Sequence, residues 1–259
     1  MIGMKKTLDL SSISNTSLFG RYLRFPLNCL PHSAVVRVLQ GRLRGYRWVV
    51  GSGQHGFWLG SYELPKQRRL VTAISVGNVV YDIGANVGFY TLLASECVGP
   101  SGHVHAFEPL PENIEFLERH VRLNQRSNIS IHPVAVSVSA GRLRFARSHN
   151  RYSSHIDQQG ELEVNSISLD EFIYVSGNPV PNLMKVDIEG AEFDLLCGAR
   201  RLLESSPPLI FLATHGFKAH AACCELLYSA SYNLESLTNE PVETTSELLC
   251  FPPTRKCYA

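Results

Sequence analysis

Two hydrophobic periods alternate along the chain, and the change from one to the other separates predicted strands from predicted helices. Short apolar runs precede segments that carry apolar residues on one helical face, and this pattern recurs from about residue 79 to residue 230. Strands alternating with helices are typical of a parallel sheet covered on both faces. The pattern predicts an α/β fold with a doubly wound, mostly parallel sheet. Its strands are expected at 79–83, 103–107, 128–136, 183–188 and 209–214.

Helices are expected between these strands, and further strands outside them. The predicted helices lie at 89–97, from Pro111 onward, at 191–203 and at 217–230. Alternating apolar residues at 141–147 and 161–167 predict an antiparallel pair with a polar loop at 148–160 between them. The tail has room for two more strands, one of them at 247–251.

Residues 1–76 depart from this pattern and are predicted to form an N-terminal extension ahead of a domain at 77–259. A short helix at 34–40 is expected to lead into a β-hairpin at 41–63, which contains both tryptophans. Pro65 and the basic residues after it are expected to end the hairpin. The extension is therefore predicted to consist of a helix and a β-hairpin.

The composition is that of an ordinary globular protein and argues against several other classes. Hydrophobic residues make up 44% of the chain and charged residues 18%. No apolar run approaches the roughly 20 residues that cross a bilayer. The N-terminus has two lysines but no apolar segment behind them, so no signal peptide is predicted. The seven cysteines form no C-x-x-C pair, which favours free thiols in a reducing cytoplasm.

Charge is unevenly distributed, although the net charge of the chain is only +1. Residues 21–69 contain nine lysines and arginines and a single acid, whereas the rest of the chain has more acids than bases. Either the basic segment meets a negatively charged partner, or its arginines pair with the acidic remainder. The aromatic residues within the segment could also stack on the bases of RNA; they are Tyr46, Trp48, Phe57 and Trp58.

The strand at 79–83 is followed by a glycine turn at 84–88, GANVG, and then by a helix. Such a turn presents backbone N–H groups to a nucleotide, and glycine permits the tight turn or the close approach of a ligand. The spacing is not the dinucleotide pattern Gly-x-Gly-x-x-Gly, and Asp82 at the mouth would repel a pyrophosphate. Asp82 instead favours a cationic ligand without phosphate, such as S-adenosylmethionine. Glu108, about 20 residues further on, could accept hydrogen bonds from both ribose hydroxyls of an adenosine.

Polar residues also follow the fourth and fifth predicted strands. Lys185 and Asp187 share one strand face, and such a pair near the end of a buried strand is costly unless the groups pair or perform chemistry. His215 could be a general base or a structural residue. Glu189 and Glu192 could serve a site or complement a helix dipole.

Further short segments accompany the glycine turn in a fixed order: DIGANVGFYT at 82–91, AFEP at 106–109, Asn113, Asn124, PVAVS at 133–137, SLD at 168–170 and KVDIEGAE at 185–192. Together they resemble the FkbM-type S-adenosylmethionine-dependent methyltransferases. The resemblance implies a seven-stranded, Rossmann-like methyltransferase fold and S-adenosylmethionine as methyl donor. It also implies O-methylation of a hydroxyl on a sugar, glycan, glycolipid or secondary metabolite. Ala213 departs from the pattern, since the family commonly has an acid two residues before the histidine that follows the fifth strand, here His215.

The resemblance also implies roles for individual residues. Asp187, assisted by Lys185, is the first choice for orienting the acceptor or taking its proton, and His215 is the second. The hairpin at 41–63 and the loop at 148–160 are expected to cover the acceptor, whose acidic or phosphorylated character would explain the basic extension. No metal is expected. The residues expected to bind the cofactor are Asp82, Gly84, Ala85, Asn86, Gly88, Tyr90, Thr91, Glu108, Pro109, Asn113, Ala135, Val136 and Asp187.

Two other functions stay open at the level of the sequence. A nicotinamide-dependent oxidoreductase would also have a strand, a turn, a helix and an acid about 20 residues on, but the dinucleotide pattern is missing. A nucleic-acid-binding methyltransferase acting on RNA would use the basic extension. Against it, the rest of the chain is acidic, and no amino-methylation motif of the Asn/Asp-Pro-Pro-Tyr/Phe type follows the fourth strand.

Overall fold

A seven-stranded sheet organises the protein, whose computed structural model describes residue 27 and residues 29–147, 154–156 and 160–253. The strands are β1 (Val35–Arg37), β2 (Arg47–Val49), β3 (Val79–Ile83), β4 (His103–Phe107), β5 (Ile129–His132), β6 (Ala135–Val136), β7 (Gly141–Arg147), β8 (Ser154–Ile156), β9 (Leu162–Ile167), β10 (Leu183–Val186), β11 (Leu209–Ala213), β12 (Asn233–Ser236) and β13 (Glu247–Phe251). The α-helices are α1 (His55–Leu59), α2 (Leu64–Ala73), α3 (Phe89–Val98), α4 (Pro111–Leu123), α5 (Glu192–Cys197), α6 (Arg200–Ser205) and α7 (Phe217–Ser229).

The large sheet has the strand order β12-β13-β11-β10-β3-β4-β5. Neighbouring strands pair in parallel from β5 to β11, whereas β13 pairs antiparallel with both β11 and β12. The predicted mostly parallel, seven-stranded sheet is therefore confirmed. The carboxyl ends of the parallel strands β3, β4, β10 and β11 meet at one edge, which is where ligands bind in folds of this class.

The two faces of the sheet carry two separate cores. In β3, Tyr81 and Ile83 pack into one buried cluster with residues of α5, α6 and α7, whereas Val80 packs into a second cluster with α3 and the extension. Successive strand residues point to opposite faces, so a doubly wound sheet needs apolar residues at both sets of positions. This explains the continuous apolar runs in the sequence.

The third predicted strand, 128–136, is two strands in two different sheets. Pro133 lies between β5 and β6 and has no N–H to continue the ladder, and the N–H of Val134 bonds to the carbonyl of His132 at 2.8 Å. β6 then joins a smaller sheet of order β6-β9-β7-β8, in which the predicted antiparallel pairing of β7 with β9 is confirmed. The loop predicted at 148–160 lies mostly outside the described residues, and its described part includes β8.

The single helix predicted at 191–203 is two helices, α5 and α6. Their junction contains Gly198, where an added Cβ would lie 2.2 Å from the carbonyl oxygen of Ser137, so a larger residue would displace the chain. The carboxylate of Asp170 accepts two N–H groups from the first turn of α6, at 2.9 Å each, and so caps this second helix.

The extension differs from its prediction. The hairpin consists of β1 and β2, which pair antiparallel, and helix α1 follows within the range 41–63 that was expected to be hairpin. The predicted helix at 34–40 is wrong, since Val35 and Val36 lie in β1, where β-branched residues fit well. Pro65 lies in the first turn of α2, where backbone N–H groups have no partner within the helix, so proline loses no hydrogen bond there. It therefore lies at the start of a helix and does not end the hairpin.

The extension is joined to the main domain through His120 of α4. The ring of Trp48, which is fully buried, stacks on the imidazole with centroids 3.8 Å apart. Nε2 of His120 accepts the N–H of Val49 at 3.1 Å, and Nδ1 donates to the carbonyl of Val87 at 2.7 Å. The extension is thereby fixed to the glycine turn through one side chain. Among the described residues, no helix is long and apolar enough to cross a membrane.

Candidate active site

The glycine turn after β3 is shaped by its protein neighbours. Gly84 and Gly88 have φ values of +76° and +94°, in the left-handed region that favours glycine. A Cβ added at Gly84 would lie 1.9 Å from the carbonyl oxygen of Asp187, and one at Gly88 would lie 2.5 Å from Cδ1 of Leu117. The glycines therefore allow the end of β10 and helix α4 to approach the turn, a role separate from the approach of a ligand.

Glu108 follows β4 and faces the glycine turn. Its Oε2 accepts the N–H of Asn86 at 2.8 Å, and its Oε1 accepts the N–H of Leu110 at 3.0 Å and Nδ2 of Asn113 at 3.1 Å. Burial raises the pKa of Glu108, and these hydrogen bonds oppose that rise. The carboxylate is held in one orientation in the cavity wall, and its Oε2, which accepts one hydrogen bond, has a lone pair left for a second.

Asp82 is buried behind the turn and lies outside the cavity lining. Its Oδ2 accepts the hydroxyl proton of Thr91 at 2.6 Å, and its Oδ1 lies 3.5 Å from Nζ of Lys185. Lys185 also donates to the carbonyl of Gly84 at 2.8 Å. The structure thus places Asp82 and Thr91 behind the turn, where they support it through Lys185. Their expected contact with a cofactor stays a prediction.

Asp187 follows β10 and lies beside two ammonium groups. Its Oδ2 is 3.7 Å from Nζ of Lys185 and 3.8 Å from Nζ of Lys66. Burial alone would raise the pKa of Asp187, but Lys185, Lys66 and His215 together lower it below its ordinary value. Asp187 is therefore an anion at neutral pH and a weak base, which suits it to orient a hydroxyl more than to remove its proton.

Lys66 of α2 brings the extension into this charge cluster. It is only 6% exposed, and its Nζ lies 2.8 Å from Glu247, 3.8 Å from Glu63 and 3.8 Å from Asp187. Glu247 of β13 pairs in register with Ala213 of β11. Glu247 therefore lies beside Ala213, the position two residues before His215 where an acid was expected. The sequence did not reveal Glu247, because the pairing of the last strand cannot be derived from local pattern.

Tyr90 in the first turn of α3 lies between the charged groups and the cavity. Nζ of Lys66 and Nζ of Lys185 lie 5.7 and 5.6 Å from the centroid of its ring, within the range of cation–π attraction. Its hydroxyl donates to Oε2 of Glu63 at 2.7 Å. Burial raises the pKa of Tyr90, so the hydroxyl stays protonated.

His215 follows β11 and is held by Glu192 of α5. Its Nδ1 lies 2.8 Å from Oε1 of Glu192, whose side chain is fully buried. Its Nε2 lies 3.6 Å from Oε2 of Glu189 and 3.8 Å from Oδ1 of Asp187. The hydrogen bond to Glu192 and the charges of the three carboxylates raise the pKa of His215, against the opposing effect of burial.

A cavity of about 270 Å³ opens between the glycine turn and these side chains. The described lining excludes Asp82, Gly88, Thr91 and His215. It includes residues that no motif had marked, among them Gln54, Phe57 and Tyr62 of the extension and Phe145 of β7. The expected site residues that line the cavity are Gly84, Ala85, Asn86, Tyr90, Glu108, Pro109, Asn113, Ala135, Val136, Lys185 and Asp187.

Two arginines and both tryptophans of the extension are engaged within the protein. Arg42 and Arg69 lie 3.9 and 3.2 Å from acids of the main domain, Glu96 and Glu235. Trp48 and Trp58 are buried, with 0% and 4% exposure, so their rings are not available to stack on bases. Of the two explanations for the basic segment, pairing with the acidic remainder accounts for Arg42 and Arg69, and a negatively charged partner stays a prediction.

Two curated methyltransferases are similar to part of this chain. Hexuronic acid methyltransferase AglP of Haloferax volcanii is 28% identical over 142 residues, which cover 53% of this chain and 56% of that protein. Methyltransferase 1 of Beauveria bassiana is 26% identical over 143 residues, which cover 46% of this chain and 57% of that protein. The chain thus spans little more than half the length of these two curated relatives.

Solved structures include a methyltransferase FkbM from Methylobacillus flagellatus KT. It is 20% identical, covers 67% of this chain and 43% of that one, and gives a TM-score of 0.46. A family model described as the methyltransferase FkbM domain matches residues 82–235, which is more than half of the chain and spans the turn, Glu108, Asp187 and His215. The chain therefore belongs to the FkbM family of methyltransferases.

Proposed function

We propose that the protein transfers a methyl group from S-adenosylmethionine to a hydroxyl oxygen of a sugar or sugar-like acceptor. The observation that carries the proposal is the position of Glu108, buried and immobilised in the cavity wall opposite the glycine turn. The family match supports the methyl donor. The relative named as a hexuronic acid methyltransferase supports a sugar acceptor.

The described residues fit this donor. Oε2 of Glu108 would accept a hydrogen bond from a ribose hydroxyl through its remaining lone pair. Leu110, Ala135 and Phe145 form one buried apolar cluster in the cavity wall, which suits the face of an adenine ring. When bound, the donor supplies a methyl carbon that is already electrophilic, because it is attached to a positively charged sulfur. The chain's own residues therefore have to bind, align and exclude water.

The acceptor is expected at the end of the cavity formed by Tyr62, Asp187 and Glu189. Asp187 is an anion that can accept a hydrogen bond from a hydroxyl group and fix the direction of its oxygen. Alignment of the oxygen within roughly 3–3.5 Å of the methyl carbon is the main demand of such a reaction. Tyr62 belongs to the extension and lines the cavity, which supports the expected role of the extension as a cover for the acceptor.

The charges at this end favour a neutral acceptor over an acidic or phosphorylated one. Lys185 is the one basic side chain among the described lining residues, and it is engaged by Asp82, Asp187 and the carbonyl of Gly84. A second anion would meet Asp187 and Glu189 without a free cation to pair with. We therefore expect hydroxyl groups, and no carboxylate, next to the reacting oxygen.

A labelling experiment tests the proposal. The protein is incubated with S-adenosylmethionine that carries a radioactive methyl group and with matched neutral hexoses, hexuronic acids and glycans. We expect label in a sugar that resists mild alkali, as a methyl ether does, with greater incorporation into neutral acceptors. Alkali-labile label would indicate a methyl ester and overturn hydroxyl transfer, and label confined to RNA or protein would overturn the acceptor class.

A further inference from the structure

We infer that Glu192 and His215 act as a dyad, in which Glu192 positions the imidazole of His215 so that Nε2 accepts the hydroxyl proton during methyl transfer. The inference rests on the proposed function and names its base. His215 would then be the catalytic residue and Glu192 a positioning residue that acts only through it.

The geometry fixes the two ring nitrogens in different roles. Oε1 of Glu192 lies 2.8 Å from Nδ1 of His215 and also accepts the N–H of Gly190 at 3.0 Å. A carboxylate accepts hydrogen bonds, so Nδ1 carries the proton and Nε2 keeps the lone pair. Nε2 points toward Glu189 and Asp187, which line the cavity. The free lone pair therefore stands at the rim of the acceptor end.

The burial of Glu192 supports a functional reason for the dyad. Its side chain has no exposed surface, and its Oε2 has no hydrogen-bond partner among the described residues. A buried carboxylate is costly without a positive partner. His215 supplies that partner when it becomes an imidazolium, so the arrangement stabilises the product of proton transfer. The same logic operates where an acid orients and stabilises a catalytic histidine.

The other titratable groups around His215 are poorer bases. Asp187 is held as an anion by Lys185 and Lys66, which lie on its far oxygen and do not face the imidazole. Glu189 is 43% exposed and lies closer to solvent. Asp187, Glu189 and Glu192 are the charged groups that face His215 in the described structure, and all three raise its pKa. His215 is therefore the strongest base at this rim.

The proposed step balances in atoms and electrons. The acceptor oxygen forms a bond to the methyl carbon, and the bond between that carbon and sulfur breaks with its electron pair left on sulfur. The hydroxyl proton passes to Nε2 of His215, which becomes an imidazolium and later loses the proton to solvent. No oxidant or further reactant is needed.

Variants of the dyad test this inference in the full-length protein. The variants are Glu192→Gln and His215→Asn, with the exposed Glu204→Gln of α6 as matched control. We expect kcat of the wild type to rise with pH along one ionisation, that of His215. In Glu192→Gln this ionisation moves to lower pH and kcat falls at least ~10-fold, while KM stays nearly constant. The control should behave as the wild type.

A readout without acceptor follows His215 directly. The imidazole nitrogens, labelled with ¹⁵N and assigned with His215→Asn, are titrated by NMR in the presence of S-adenosylmethionine. We expect a protonated Nδ1 in the neutral form of the wild type and a lower pKa of His215 in Glu192→Gln. Unchanged NMR titration and pH–rate profiles in Glu192→Gln would overturn the dyad, while wild-type methyl transfer keeps the proposed function in place.

Calorimetry with S-adenosylmethionine separates failure of the dyad from failure of the proposed function, because a wild type that does not bind the donor would count against the proposed function itself.

Asp187, Glu189 and His215 also offer ligand atoms within 4.8 Å of one another, a spacing that a divalent cation could use. Activity that EDTA abolishes and Mn²⁺ restores would make His215 a ligand and overturn its role as base.

Discussion

Glu108 and Asp187 show that the surroundings of a carboxylate decide what it can do. Glu108 meets two backbone N–H groups and an amide, so it is fixed in place as an acceptor of hydrogen bonds. Asp187 meets two ammonium groups, which lower its pKa and keep it charged. The same functional group, a carboxylate, therefore suits ribose binding in one position and orientation of the acceptor in the other.

Gly84 offers a test at the residue scale. In Gly84→Ala, the new Cβ would lie 1.9 Å from the carbonyl oxygen of Asp187, in addition to the strain at a φ of +76°. Gly177→Ala is the matched control, because Gly177 has a φ of +74° and no atom within 4 Å of an added Cβ. Urea unfolding should show a loss of about 1 kcal/mol in the control and at least about 3 kcal/mol in Gly84→Ala. Equal losses would show that the contact with Asp187 is unimportant.

Elements that are distant in sequence meet at helix α4. His120 receives the N–H of Val49 from the extension and donates to Val87 of the glycine turn, so the imidazole must be neutral to make both bonds. The pKa of His120 is lowered to about 4, chiefly by burial. The hydrogen bond to the Val87 carbonyl raises this pKa, and the charge of Arg119 lowers it further. The joint between the extension and the turn is thus sensitive to acid.

The pH dependence of stability tests this joint. The unfolded chain binds a proton at His120 below pH 6.5, whereas the folded protein binds it only near pH 4, so stability falls as the pH is lowered through this window. In His120→Gln the free energy of unfolding should depend less on pH, by up to about 1.4 kcal/mol per pH unit. Urea unfolding at several pH values measures both curves. Parallel curves for the two proteins would contradict a neutral, buried His120.

Taken as a whole molecule, the main domain could be predicted from sequence because its strands and helices have long, clear periods. The central strand, the glycine turn and helix α3 lie where the pattern indicated them. The extension could not be predicted in the same way, since its segments of three to ten residues take their conformation from packing. Val35 and Val36 pair with β2, and Trp48 is buried against Phe57, Phe89 and His120, contacts that local sequence does not show.

The site residues also fall into those that local sequence could predict and those that depend on tertiary packing. Gly84, Glu108 and Asp187, each within a short motif at the end of a predicted strand, were placed at the carboxyl edge of the sheet from the sequence. Glu247 and Lys66 were not, because they reach the site through the pairing of β13 with β11 and through helix α2. The strand pattern could not tell which side of the turn Asp82 faces, and the structure places its carboxylate behind the turn, next to Thr91 and Lys185.

The central claim is that the glycine turn and Glu108 bind S-adenosylmethionine, and isothermal titration calorimetry tests it most directly. The wild type should bind, and Glu108→Ala should bind about 10- to 100-fold more weakly, because a hydrogen bond to a charged acceptor contributes roughly 1.5–3 kcal/mol. Glu115→Ala, which removes an exposed acid from helix α4, just after Glu108 in the chain, should bind as the wild type does. Equal affinity of the wild type and a folded Glu108→Ala would contradict the claim.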